Sequence, residues 1–163
     1  RFATAVVLAL GATACAKNAA DDASIAGAAG GGGYGRGGAA TPGSQQDFVV
    51  NVGDRVFFES DSTELSSTAQ ATLDKQARWL QQYGRYSFTI EGHADERGTR
   101  EYNFALGARR AEVTKEYLAA KGISASRIKT ISYGKERPVA VCNDISCWSQ
   151  NRRAVTVLSG GQS

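Results

Sequence analysis

The chain of 163 residues contains no methionine, a single histidine and only three cysteines. Because Met is absent, we expect the native start to lie before Arg1. One histidine and three cysteines leave no spare ligands for the closed four-ligand sites of structural zinc, so no metal centre is expected. Nineteen basic and sixteen acidic residues give a net charge of +3, which is too small to indicate nucleic-acid binding. This balance is typical of a mixed, hydrated surface.

A long apolar run is also absent, because the stretch RFATAVVLALGATAC is shorter than the ~20 residues that a membrane-spanning helix needs. A basic residue, an apolar run and small residues before Cys15 are instead typical of a secretory signal, here residues 1–14. Ala12 and Ala14 resemble the lipobox of bacterial lipoproteins, although Leu is more common at the position of Ala12. We therefore expect acyl chains on Cys15. The alternatives are an ordinary signal peptide with an incidental cysteine, or an apolar start that arose by chance.

Glycine is concentrated in residues 27–43, where it occupies nine of seventeen positions. Such a segment cannot bury enough apolar surface to offset the entropy of ordering it. Residues 15–46 are therefore predicted to be a lipidated N-terminus followed by a disordered, glycine-rich tether. The composition becomes that of a globular domain from Asp47, and residues 161–163 are predicted to be a short tail.

Residues 47–160 alternate between strand-like and helix-like patterns. Runs of β-branched and aromatic residues predict strands, and apolar residues three and four positions apart predict helices. The predicted strands are 48–58 (with Gly53 as a point of interruption), 86–94, 128–134 and 154–160, and the predicted helices are 65–83, 100–120 and 146–154. Strands separated by helices predict an α/β sandwich, with a mixed sheet of about four strands packed against helices.

The helix predicted at 100–120 carries a charged residue on its apolar face. At ~100° per residue, the predicted apolar stripe comprises Tyr102, Leu106, Val113, Tyr117 and Ala120. Arg110 projects onto the same stripe, and a buried guanidinium without a partner is costly. Asp95 lies one loop before this helix. The residues alone leave two interpretations, a structural salt bridge between loop and helix or a shared binding site.

Three motifs follow one another in the chain: EGHADERGTREYNFALGARRA at 91–111, SYGKERP at 132–138 and SQNRRAV at 149–155. They resemble the OmpA-like C-terminal domain family from Phe57 to about Leu158. The lipobox and tether match the lipoproteins of that family better than its porins or flagellar stators. The resemblance implies non-covalent binding of the peptidoglycan stem peptide. It assigns Asp95 to the ammonium of diaminopimelate and Arg110 to the adjacent carboxylate. In the empty site, Arg110 is expected to pair with Asp95 or with water.

The resemblance also adds candidate pocket residues. These are Glu59, Ser60, Asp61, Asn103, Arg152 and Arg153. A role in starting the helix is equally compatible with Asn103. Pinning of a loop, or a place on the pocket rim, is expected for the two arginines.

The partners implied by the resemblance are the peptidoglycan stem peptide, the outer membrane through acyl chains on Cys15, and the Tol system. Within that system, the periplasmic propeller protein TolB is expected to compete for an overlapping face. No cofactor and no nucleic acid is expected. Ala16 rather than Asp follows Cys15, which favours sorting to the outer membrane with the domain in the periplasm. An alternative is a protein-protein interaction module in which Asp95 and Arg110 form a structural pair.

No catalytic arrangement is recognisable in the sequence. A wall hydrolase would need a nucleophile with its base, or two opposed carboxylates, and the adjacent Asp95 and Glu96 are poorly placed to flank one bond. His93 and Asp95 could start a metal site only with the help of distant cysteines. We therefore expect His93 to buttress the loop by hydrogen bonding.

Cys142 and Cys147 remain once Cys15 is assigned to lipid. In an oxidising periplasm, a disulfide bond that closes the short loop between them is expected, although the family at large does not require one. The alternative is a pair of free buried thiols. A disulfide at this position would stiffen a loop near the binding pocket.

Overall fold

The structure, a computed structural model, describes residues 40–160 of the chain. The predicted signal peptide, Cys15, most of the predicted tether and the tail lie outside the described residues. In chain order the elements are α1 (Gln45–Asp47), a π-helical turn (Phe48–Val52), β1 (Arg55–Phe57), α2 (Ser67–Gln82), β2 (Ser87–His93), α3 (Arg100–Ala120), a 3₁₀ turn (Ala125–Arg127), β3 (Ile128–Gly134), α4 (Ile145–Asn151) and β4 (Arg153–Ser159).

The four strands form one mixed sheet in the order β1-β4-β2-β3. Strand β4 runs antiparallel to both neighbours, whereas β2 and β3 are parallel and are connected through α3. The core includes Phe88 and Ile90 of β2 and Leu73 and Leu80 of α2, each at most 1% exposed. The predicted α/β fold with a mixed four-stranded sheet is confirmed.

Helix α3 approaches β2 so closely that only glycine fits at the contact. A Cβ atom added to Gly92 would overlap the carbonyl oxygen of Gly107, and one added to Gly107 would lie 2.8 Å from the carbonyl oxygen of Gly92. This contact holds the middle of α3 against the end of β2. It therefore sets the position of Arg110 relative to the loop that carries Asp95.

The ends of α3 follow local signals. The Thr99 hydroxyl accepts from the backbone N–H of Tyr102 at 3.2 Å, and Gly122 adopts φ +99° just after the helix. The predicted burial of Tyr102 and Ala120 was wrong, since both are exposed. The buried stripe comprises Asn103, Leu106, Gly107, Arg110, Ala111, Thr114 and Leu118. Its polar members can be buried because backbone groups satisfy their hydrogen bonds, as the Arg110 carbonyl does for the Thr114 hydroxyl.

Residues 48–52 form a helical turn, so the prediction of one extended segment over 48–58 was wrong for its first half. Phe48 is fully buried and packs on Trp79 with ring centroids 5.0 Å apart. Val49 and Val50, which favour strands locally, are 50% and 66% exposed. Burial of one aromatic ring in the core therefore outweighs the strand preference of two solvent-facing valines. Gly53, at φ +94°, ends the turn before β1 begins.

The ordered fold also begins before Asp47, inside the segment predicted to be tether. The Gly43 carbonyl accepts from Arg85 Nη2 at 2.7 Å and from the Tyr86 hydroxyl at 2.6 Å. Asp47 accepts from the Trp79 indole N–H at 2.8 Å. These bonds attach the end of the glycine-rich segment to α2 and to the two residues that precede β2, a long-range effect that composition does not reveal. Among residues 40–160, no helix is both long and apolar enough to cross a membrane.

Candidate functional site

A cavity of about 280 Å³ lies where the loop after β1, the loop after β2 and the first half of α3 meet. Asp95 and Arg110 both line it, so the fold brings together the two residues that the sequence analysis singled out. Ser60 and Asp61 line the same cavity from the loop after β1, and Asn103 lines it from α3. The cavity therefore combines an acidic and a basic group on separate elements.

Asp95 is 7% exposed and is held by arginines other than Arg110. Its Oδ1 accepts from the Arg97 backbone N–H at 3.1 Å and from Arg97 Nε at 3.0 Å, and its Oδ2 accepts from Arg97 Nη2 at 2.7 Å. Arg152 Nη1 adds a longer contact of 3.4 Å to Oδ2. Burial acts to raise the pKa of Asp95, but the hydrogen bonds and charge of Arg97, with a smaller contribution from Arg152, lower it below its ordinary value. Asp95 is therefore a carboxylate at neutral pH.

Arg110 is fully buried and donates to three backbone carbonyls. Its Nε bonds to Ser62 at 3.0 Å, its Nη1 to His93 at 2.9 Å and its Nη2 to Glu59 at 3.0 Å. Burial and the nearby Arg152 lower the pKa of Arg110 to about 10, so it stays charged at neutral pH. Arg110 thus ties α3 to the loop after β1 and to the end of β2.

Two partners were predicted for Arg110 in the empty site, Asp95 or water, and the pairing with Asp95 was wrong. The Glu59 and Ser62 carbonyls of the loop after β1 and the His93 carbonyl at the end of β2 take three of the five N–H groups of the guanidinium, whereas Asp95 is already occupied by a cation two residues away along its own loop. Without a direct ion pair between them, the two charged groups face one cavity from separate hydrogen-bond networks. The interpretation as a simple structural salt bridge between Asp95 and Arg110 therefore has no support in the geometry.

The other candidate residues divide between the cavity and its supports. Asp61 has a φ of +54° and accepts from the Tyr102 hydroxyl at 3.2 Å. The Asn103 amide is 2% exposed and donates to the carbonyls of Arg97 at 2.8 Å and Thr99 at 3.0 Å. Asn103 thus fixes the loop before α3, and Asn103 itself also lines the cavity. Glu59 contributes its backbone carbonyl to Arg110.

Arg152 and Arg153 point to different places although they are adjacent. Arg152 Nε donates to the Phe58 carbonyl at 2.8 Å, so this residue joins the end of β1 to Asp95. Arg153 donates to the carbonyls of Asn151 at 3.2 Å and Arg137 at 3.1 Å, and it does not line the cavity. Arg152 therefore supports the site, whereas Arg153 pins the loop after β3.

Arg97 is a site residue that the sequence analysis missed. Its side chain is 43% exposed, its Nη2 reaches the Ser60 hydroxyl at 3.1 Å, and its guanidinium stacks on the Trp148 ring 4.1 Å from the ring centre. The Trp148 indole N–H donates to Glu96 Oε1 at 2.8 Å. The two-residue spacing of Asp95 and Arg97 was a usable signal, because an arginine that close can fold back onto a carboxylate in a turn.

His93 does not buttress the loop through its ring, which corrects the expected hydrogen bond. The ring is 1% exposed, and neither ring nitrogen has a hydrogen-bond partner among the described residues. Glu91 Oε2 lies 3.5 Å from Nε2. Burial first, and then the charges of Arg153, Arg137 and Arg55, lower the pKa of His93 to about 4. The ring is therefore neutral at pH 7, and only the His93 carbonyl takes part in the site.

A disulfide bond joins Cys142 and Cys147, with Cα atoms 5.7 Å apart. It bridges the loop after β3 to the first turn of α4, and Trp148 follows directly. The bond therefore lies one residue away from the ring that carries Arg97. Within residues 40–160, no three His, Cys, Asp or Glu side chains are grouped as they would be around a metal ion.

Comparisons with known proteins agree with this architecture. The sequence profile of the OmpA family matches residues 57–152. The peptidoglycan-associated lipoprotein of Rhizobium meliloti (strain 1021) is 63% identical over 163 residues, covering 99% of this chain and 88% of the relative. The protein of the same name from Agrobacterium fabrum (strain C58) is 70% identical over 128 residues, covering 78% of this chain and 72% of the relative.

Solved structures resemble the described fold. The crystal structure of the peptidoglycan-associated lipoprotein from Burkholderia pseudomallei superposes with a TM-score of 0.63 at 40% identity, covering 65% of this chain and 90% of that one. The C-terminal domain of Helicobacter pylori MotB superposes with a TM-score of 0.61 at 21% identity, covering 65% and 84% respectively, and shows a shared fold alone. The profile match and the high identities together show that this chain belongs to the OmpA family, in its group of peptidoglycan-associated lipoproteins.

Proposed function

We propose that this protein binds the stem peptide of peptidoglycan without covalent chemistry, through the amino-acid head of diaminopimelate. The observation that supports this most directly is the cavity that Asp95 and Arg110 line together. An amino-acid head presents an ammonium and a carboxylate side by side, and Asp95 and Arg110 offer the cavity a buried group of each opposite charge. The names of the relatives point to the same ligand class.

The two proposed ligand contacts use hydrogen-bonding groups of Asp95 and Arg110. Asp95 accepts from the ligand ammonium in a charge-assisted hydrogen bond. A guanidinium carries five N–H groups, and three of those on Arg110 are used by backbone carbonyls. One N–H on each of Nη1 and Nη2 remains for the ligand carboxylate. Because Arg110 is already fixed by its backbone bonds, little side-chain entropy is lost when the ligand binds.

The role in the cell that we propose adds an anchor and partners. Acyl chains on Cys15 hold the protein in the outer membrane, and the domain in the periplasm binds the wall, so that the two layers are tethered. Two or more acyl chains are needed for stable anchoring of a protein with no other membrane attachment. TolB and other proteins of the Tol system are the proposed protein partners, on a face that overlaps the cavity. The proposed role of the protein is therefore to maintain the integrity of the cell envelope and to take part in cell division.

We propose binding rather than catalysis, because Asp95, the buried carboxylate of the cavity, is in the wrong protonation state for a general acid. A general acid at neutral pH needs a raised pKa, whereas Arg97 keeps the pKa of Asp95 below its ordinary value. The decisive assay is incubation with purified sacculi. A hydrolase releases soluble fragments, whereas a binder sediments with the sacculi and releases none.

The test of the binding site uses residues 16–163, which contain the whole described structure. The wild-type protein should sediment with sacculi and be released by soluble diaminopimelate. Asp95→Asn keeps the shape of the side chain and removes its charge. Loss of one charge-assisted bond of ~1.5–3 kcal/mol should weaken binding by roughly 10- to 100-fold. Glu101→Gln, an exposed carboxylate in the first turn of α3, is the matched control and should bind like wild type.

Two results would contradict the proposal. If Asp95→Asn sediments as well as wild type, the cavity does not hold the ligand ammonium. If wild type sediments but diaminopimelate does not release it, the protein recognises another part of the wall. Folding of each variant is checked by circular dichroism before the sedimentation is interpreted.

A further inference from the structure

The cation that occupies Asp95 in the described structure belongs to the protein itself. Arg97 presents its backbone N–H, Nε and Nη2 to the two carboxylate oxygens, at 2.7 to 3.1 Å. A ligand ammonium that binds the same oxygens must therefore replace at least the guanidinium. In the described structure, the Arg97 guanidinium thus holds the position on Asp95 that the proposed ligand ammonium would take.

Arg97 can leave without disturbing the fold. Its side chain is 43% exposed, whereas that of Asp95 is 8% exposed, so the arginine approaches the carboxylate from the solvent side. Its other contacts are with the Ser60 hydroxyl and the face of Trp148, and neither closes over it. The Asp95 carboxylate keeps the contact with the buried Arg152 when Arg97 moves. Arg97 is thus the movable member of the network, and Arg152 is the fixed one.

We propose that Arg97 is a displaceable internal competitor that lowers the affinity of the cavity for every ligand that uses Asp95. The inference rests on the proposed function, since it concerns how the same ligand enters. Exchange of the Arg97 guanidinium for a ligand ammonium replaces one cation on Asp95 by another, so the competitor offsets part of what the ligand gains there. Because the same guanidinium must leave for every ligand that uses Asp95, it weakens each of them by the same factor. The contact of a ligand carboxylate with Arg110 adds affinity independently of this exchange.

Diaminopimelate and lysine, at the same position of a stem peptide, differ in the contact that they can make with Arg110. Lysine ends in an ammonium alone, so it can replace Arg97 but offers nothing to Arg110. Diaminopimelate offers both groups at once. With the competitor removed, an ammonium meets a carboxylate that holds only the long contact with Arg152, so both peptides bind more tightly. Arg97 should accordingly weaken both ligands by a similar factor and leave the ratio between their affinities unchanged.

The experiment measures, by calorimetry on residues 16–163, the Kd of L-Ala-γ-D-Glu-meso-diaminopimelate and of the tripeptide with L-Lys in its place. Arg97→Gln removes the competing charge. It should bind the diaminopimelate peptide about 2- to 5-fold more tightly, as expected for loss of one partly exposed ion pair. The affinity for the lysine peptide should rise by a similar factor, so the ratio of the two Kd values should stay unchanged. Arg97→Lys keeps a charge without the two-point contact and should lie between wild type and Arg97→Gln.

Arg100→Gln is the matched control, because Arg100 is 73% exposed, pairs with Glu136 and lies outside the cavity. It should leave both Kd values unchanged. Equal affinity in wild type and Arg97→Gln would overturn the competitor role, and weaker binding by Arg97→Gln would make Arg97 a direct ligand contact instead. Both of those results leave the proposed function intact if Asp95→Asn has lost binding. Absence of binding in wild type would overturn the proposed function and the competitor together.

Discussion

Replacement of Arg110 by Ala should destabilise the fold, whatever it does to ligand binding. The substitution removes three hydrogen bonds from a charged donor, worth ~2 kcal/mol each, or ~6 kcal/mol together. It also removes the cost of holding a charge in a buried place. The pKa of Arg110, lowered to about 10, corresponds to ~3 kcal/mol for that cost. Subtracting this ~3 kcal/mol from the ~6 kcal/mol of lost hydrogen bonds predicts that the free energy of unfolding falls by ~3 kcal/mol.

The assay is urea unfolding of residues 16–163 at pH 7, followed by circular dichroism. Arg109→Ala provides the matched control, because Arg109 is the preceding residue on the same helix and is exposed. Its replacement should change the free energy of unfolding by less than ~0.5 kcal/mol. The comparison separates the backbone bonds of Arg110 from any general effect of losing an arginine in α3.

A loss below ~1 kcal/mol for Arg110→Ala would refute the reasoning, because it would mean that the carbonyls of Glu59, Ser62 and His93 find other donors at no cost. The result also decides how sedimentation with sacculi should be interpreted. A variant that is already partly unfolded cannot report on ligand binding. For this reason Asp95→Asn, which leaves the three carbonyl bonds intact, is the better test of the cavity.

Gly92→Ala should destabilise the fold by ~3 kcal/mol or more, since its methyl group would overlap the Gly107 backbone and push α3 away from β2; urea unfolding measures this loss. His93 should make stability depend on pH. The unfolded chain protonates it near pH 6.5 and the folded protein only near pH 4. The unfolded state therefore binds more protons in that interval, and up to ~3 kcal/mol of stability present above pH 6.5 is lost as the pH falls to 4.

Controls for these two predictions are available in the chain. Gly84 has no atom within 4 Å of an added Cβ, so Gly84→Ala should be nearly neutral, and equal losses at Gly84 and Gly92 would contradict the steric argument. For the pH effect, His93→Gln removes the titrating group. Its stability should change less than that of wild type between pH 6.5 and pH 4, and parallel curves would show that other groups cause the decline.

The sequence predicted those elements whose signals are local. The predicted helix 100–120 and strand 128–134 coincide with α3 and β3 as observed, and helix 65–83 matches α2 to within two residues. Each is bounded by a cap or a glycine that acts within a few residues, such as Thr99 before α3. The turn at Phe48–Val52 was mistaken for a strand because its conformation depends on Trp79, thirty-one residues away along the chain.

In the candidate site, too, some features follow from the sequence alone and others from the tertiary structure. The motif around Asp95 and the position of Arg110 on the inner face of α3 are properties of the sequence, because helical spacing alone turns that arginine inward. The hydrogen-bond partners of Asp95 and Arg110, by contrast, do not follow from the sequence. The tertiary structure gives Arg110 three carbonyls and gives Asp95 the neighbouring Arg97, because hydrogen bonds depend on ångström-scale distances and directions. Only the packing of α3 on β2, through Gly92 and Gly107, fixes those distances.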